Sequence, residues 1–120
     1  MLSLWEKGRE QMWIITRLRI GKEKVFFSVG PMELLEKIEE HSSIKKATEA
    51  MGMSYTKALR IIRIMEEELG FSVAESKKGG SQRGTTILTE RGKKVLTAFQ
   101  DIYADVSAYA QKQLEEKFKF

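Results

Sequence analysis

No cysteine occurs anywhere in the 120 residues, which excludes disulfides, thiolate metal sites, iron–sulfur clusters and thiol nucleophiles. A single histidine, His41, is too little imidazole for a histidine-based metal centre or a Ser-His-Asp triad. No apolar run approaches the roughly 20 residues that span a bilayer. The opening MLSLWEKGREQMW carries charge where a secretion signal would be apolar. Asp101 and Asp105 stand one helical turn apart, and such carboxylate pairs are usually solvated rather than metal-bound. These absences predict a soluble cytoplasmic domain with no catalytic residue, no metal, no cofactor and no membrane partner.

What is present is a globular balance, 42% hydrophobic and 32% charged, in a chain long enough for one domain. The net charge of +4 matters less than its placement. Between 42 and 65, Lys45, Lys46, Lys57, Arg60 and Arg63 face only Glu49. Between 77 and 94, Lys77, Lys78, Arg83, Arg91, Lys93 and Lys94 face only Glu90. The intervening stretch 66–76 has four glutamates and no cation. Two basic segments set among acidic or near-neutral ones suit a surface that meets a polyanion.

The β-branched and aromatic run from Trp13 to Ile20 predicts a strand, turning at 21–24 into a short return strand at Val25–Phe27. Gly30-Pro31 predicts a helix start, since proline suits the first turn. Ser43 is placed to cap a second helix, 44–51, which Gly52 ends. Ser54 caps a third, 55–69, closed by Gly70. Strands at 71–76 and 85–88 flank a polar, Gly-rich loop at 77–84. Thr89 then opens a helix reaching to about Phe118. The order of elements predicts a mainly α fold with a small β component: a winged helix-turn-helix with a long C-terminal dimerisation helix. The expected division is an N-terminal extension at 1–12, the winged domain at 13–88 and the dimerisation helix at 89–120.

Two helices crossing at a tight turn must bury side chains at fixed offsets. Counted from Ile44, these fall on Ala47, Met51, Met53, Ala58 and Ile61, all apolar, with Gly52 at the turn. Thr48 stands where the helices approach most closely. At about 100° per residue, Thr56, Arg60 and Arg63 share a face opposite Ala58, Ile61, Ile62, Met65 and Leu69. Lys57 stands between the faces, and Leu59 borders the apolar one. A recognition helix enters the major groove N-terminus first, so Ser54, Tyr55, Thr56 and Lys57 are expected near bases or phosphates. Arg60 suits a guanine edge, and Arg63 a phosphate or an ion pair with Glu67. Ser43, Lys45 and Lys46 are expected on the phosphate backbone. Lys77, Lys78, Gln82 and Arg83 would form a basic wing tip.

These residues carry a resemblance. GPMELLEKIEEHSSIKKATEAMGMSYTKALRIIRIMEEELGFSV, with KKGGSQRGTTILTERGKKVL after it, resembles the DNA-binding domain of molybdate-dependent transcriptional regulators (the ModE family), a LysR-like winged helix. The resemblance covers about residues 21–100. It is most specific at Gly52–Ala58, at Gly79-Gly80 and at Leu88–Gly92. It implies a homodimer on a palindromic operator. Thr48 and Leu59 depart from that family's usual alanine and aromatic residue, so its base readout does not transfer. The family's oxyanion-binding domain lies downstream of this module, and no molybdate pocket is written in these residues.

The final helix is longer than a small domain can cover. Val95, Phe99, Ile102, Val106 and Tyr109 recur as a heptad seam, widened by Leu96, Tyr103, Ala110 and Leu114. A second copy of the chain is the simplest cover, and it would set two recognition helices on one face of a duplex. The alternative cover is the chain's own domain and N-terminal strand. Two functions therefore stand: a sequence-specific DNA-binding transcriptional regulator, or a winged-helix module that docks a protein of the transcription machinery.

Overall fold

The computed structural model describes residues 11–77 and 84–120. In chain order the elements are β1 (Ile20–Gly21), β2 (Val25–Phe27), α1 (Val29–His41), α2 (Ile44–Met51), α3 (Tyr55–Leu69), β3 (Ala74–Ser76), β4 (Thr86–Leu88) and α4 (Glu90–Lys117). The described residues form two compact units, one within 17–100 and the other from 11–16 with 101–120. α4 contributes to both. The fold is the winged helix-turn-helix that the element order predicts.

In the larger unit, α1 supplies the centre of the core with Leu34, Leu35 and Ile38, which are fully buried. Ala47, Ala58 and Met65 close on it from α2 and α3, and Leu96 and Phe99 from the start of α4. The Phe27 and Phe99 rings meet at 4.9 Å between centroids. Phe99 is only 1% exposed, so it belongs to this core and not to the exposed seam in which its heptad spacing had placed it. The spacing is shared by both roles, and only the ring's neighbour separates them.

Each helix boundary has a local cause. α1 begins at Val29, two residues before Pro31. Its first intrahelical bond runs from Met32 N–H to Ser28 O, so the amide that Pro31 lacks is not needed. Ser42 ends α1 in the left-handed region, at φ 52°. Its carbonyl accepts from Thr86 N–H at 2.9 Å, tying β4 to the corner between α1 and α2. Ser43 and Ser54 cap α2 and α3 as expected, and Gly52 and Gly70 end them with positive φ. Thr48 is 3% exposed, yet its hydroxyl donates back to Lys45 O at 2.7 Å, so a threonine fits where the helices meet.

β3 and β4 pair antiparallel, Ala74 opposite Leu88 and Ser76 opposite Thr86. Thr89 anchors their far end: its N–H donates to Val73 O and its hydroxyl to Ser72 O, while Gly92 N–H donates back to that hydroxyl. Gly92 has to be glycine here, because a Cβ would stand 2.0 Å from the Val73 carbonyl oxygen.

The predicted strand at 13–20 shrinks to Ile20–Gly21, paired with β2 through an irregular register. Residues 11–19 carry no regular structure. β propensity forms a strand only where a partner strand offers its backbone. In the smaller unit, the Gln111 side chain takes that role instead. Its Oε1 accepts from Ile14 N–H and its Nε2 donates to Met12 O. In the same unit Ile102, Val106 and Tyr109 are exposed, and Tyr103 and Leu114 are partly covered. Val95, in the larger unit, is also partly covered.

Candidate nucleic-acid interface

The two caps orient the interface. Ser43 Oγ accepts from Lys46 N–H, and Ser54 Oγ accepts from Lys57 N–H, each at 3.1 Å. Both hydroxyls retain a proton to donate elsewhere. Each cap starts its helix so that the following lysines stand outward: Lys45 and Lys46 on α2, Lys57 on α3, all exposed.

α3 divides as its periodicity predicts. Ala58, Ile62 and Met65 are buried, whereas Tyr55, Thr56, Lys57, Leu59, Arg60 and Arg63 are exposed. Ile61, expected in the core, is half-buried. Among the described residues, Lys45, Lys46, Lys57 and Arg60 have no carboxylate within ion-pair distance. Arg63 differs: its Nε lies 3.8 Å from Glu67 Oε1.

The three glutamates that end α3 are each engaged within the unit. Glu66 accepts from Val73 N–H at 2.7 Å, Glu67 faces Arg63, and Glu68 accepts from Lys24 N–H. The Arg63–Glu67 pair was among the expected alternatives, whereas the roles of Glu66 and Glu68 were not visible in the sequence, because their partners are backbone amides supplied by loops. On α1, the hydrogen bond and charge of Lys37 hold the Glu40 carboxyl below its ordinary range. That pair is an exposed helical one and takes no part in the interface.

Ser43, Ile44, Lys45 and Tyr55 are brought together with Ser76, Gly84 and Thr86 around an open groove of about 480 Å³. The groove joins the starts of α2 and α3 to the base of the wing, which makes one surface of three expected contact regions. Ser76 and Thr86 are additions to that surface. Lys77 stands at the wing base, where its N–H donates to Thr85 O at 2.7 Å. Lys78, Gln82 and Arg83 lie outside the described residues.

A helical pair that crosses at a glycine turn, exposes cations at the start of its second helix and carries an adjoining β-ribbon defines a DNA-binding winged helix-turn-helix domain. A family model described as bacterial regulatory helix-turn-helix protein, lysR family, matches residues 30–93, more than half of the chain. The chain belongs to that family, which is one of regulatory DNA-binding proteins. No curated protein matches the chain. Among the described residues, no group of His, Asp and Glu side chains could hold a metal ion, and no helix is long and apolar enough to cross a membrane.

Proposed function

We propose that the protein is a cytoplasmic, homodimeric transcriptional regulator that reads a palindromic operator through helix 55–69 and the wing at 77–84. The observation that carries this reading is the outward set of Lys57 and Arg60, whose charges the described chain leaves without a counterion. Arg60 forks onto a guanine's O6 and N7, while Thr56, Tyr55 and Lys57 take neighbouring base edges and phosphates. Ser43, Lys45 and Lys46 hold the phosphate backbone at the start of α2, where helix amides favour an anion. Lys77, Lys78, Gln82 and Arg83 follow the adjoining groove.

The dimer rests on the exposed stripe of Ile102, Val106 and Tyr109, with Tyr103 and Leu114 at its edges, and in the larger unit Val95 is assigned to the same pairing. Tyr109 is 65% exposed, a large apolar ring that a second copy would cover. On this reading residues 13–88 bind DNA, 89–120 pair the subunits and 1–12 form an extension. The likeness to the DNA-binding domain of molybdate-dependent regulators supports the operator geometry. It brings no molybdate site with it.

A titration against mixed and selected duplexes at several salt concentrations tests the reading. Affinity should fall with a log–log slope of about −0.9 for each phosphate neutralised. Arg60→Ala should cost about 1–3 kcal/mol of discrimination between sites, with little change on mixed DNA. A flat salt response would favour a protein partner instead, for which exposed Tyr55 and Leu59 offer apolar contacts.

A further inference from the structure

Beyond single hydrogen bonds from hydroxyl groups or cations, an A·T pair is singled out in the major groove by two routes. Asn or Gln can fork onto the adenine N6 and N7, or an apolar group can meet the thymine C5-methyl. The first route is closed to α3. The chain contains no asparagine, and α3, YTKALRIIRIMEEEL, contains no glutamine.

The second route is open. Leu59 is 42% exposed and stands one turn after Tyr55 and one turn before Arg63, on the same row of the helix. Tyr55 lines the groove shared with Ser43, Lys45 and the wing base, so this row is the flank of α3 toward those elements. Arg60 follows on the adjacent row. Leu59 is thus an aliphatic side chain framed by Arg60 and Arg63. A cationic frame selects a polyanion over an apolar protein groove, and within duplex DNA the apolar target on the major-groove edge is the thymine methyl.

We propose that A·T pairs facing the first two turns of α3 are read from their thymine side, by Leu59 against the C5-methyl, beside the guanine taken by Arg60. The inference rests on the DNA-reading role of this surface and names the base step it selects. Thr56 carries one further methyl on the exposed face, and Leu59 is the larger and wholly apolar reader.

The test replaces thymines one at a time by deoxyuridine in the duplex that the wild-type chain selects best from a random pool. This removes a methyl and leaves base pairing intact. At one thymine within a base pair or two of the guanine contacted by Arg60, affinity should fall about fourfold, the value of one buried carbon. Leu59→Ala should bind the thymine duplex about as weakly as the wild type binds the uracil one, and should be insensitive to the exchange. Arg60→Ala should keep the sensitivity, which assigns it to Leu59. Deoxyuridine tolerated at every thymine, or an equal loss in Leu59→Ala, overturns the proposal. A steep salt slope beside such a result leaves the DNA-binding reading standing, whereas a flat slope overturns both.

Discussion

The first two turns of α3 and its last turn carry opposite charges, and both are placed against the helix dipole. Lys57 and Arg60 lie toward the positive end, with no acidic residue in the first turn, while Glu66, Glu67 and Glu68 crowd the negative end with no basic residue there. Within the first turn, at Lys57, and within the last, at the glutamates, such placements disfavour a helix by about 0.3–1 kcal/mol each. At the C-terminal end the cost is offset internally: Glu66 and Glu68 accept backbone N–H groups from Val73 and Lys24. At the N-terminal end nothing among the described residues offsets it. The same helix therefore uses one end to fasten its own fold and keeps the other for an anion from outside.

The largest effect is expected behind the fastened end. Gly92 lets α4 lie against the Val73 carbonyl, on the same residue whose N–H is held by Glu66. Gly92→Ala should cost about 3 kcal/mol, because backbone and not a flexible side chain fills the space. A denaturant midpoint within error of wild type would show that β3 and α4 are free to part. Glu66→Ala removes the acceptor of a part-buried N–H and should cost about 1–3 kcal/mol. The salt slope of DNA binding should stay unchanged where the variant remains folded. Arg60→Ala should do the reverse, losing site discrimination with a midpoint shift below about 0.5 kcal/mol.

The sequence discloses those parts of the border between the two ends of α3 that depend on local rules. Ser43, Gly52, Ser54 and Gly70 punctuate α2 and α3 at the bounds observed, because caps and left-handed glycines act within a turn. The exposed face of α3 follows from the 3.6-residue period. Three features escape because they depend on partners distant in the chain. The run at 13–20 has strand composition, but a partner only at Ile20–Gly21. Phe99 has seam spacing, but a Phe27 ring waiting in the core. Glu66 and Glu68 stand in the sequence only as acids held back to the end of the helix, and only the loops that return past them reveal the amides they bind. Local grammar thus discloses the outward-facing residues better than the fastening ones.

Arg63 lies on the border itself, and the smallest predicted effect decides its side. Its pair with Glu67 is exposed at both ends and one turn long, so it contributes below about 0.5 kcal/mol to stability. If Arg63 serves the fold, Glu67→Ala and Arg63→Ala should both leave DNA affinity and its salt slope alone. If Arg63 holds a phosphate, Arg63→Ala should reduce the slope by about one phosphate. Glu67→Ala should then tighten binding, since it frees the guanidinium and removes a carboxylate that repels the duplex. We expect the second result. An exposed ion pair this weak cannot hold an arginine against the attraction of a phosphate, and Arg63 shares its row with Tyr55 and Leu59. The outward face of α3 would then run from Tyr55 to Arg63, opposite the buried Ala58, Ile62 and Met65.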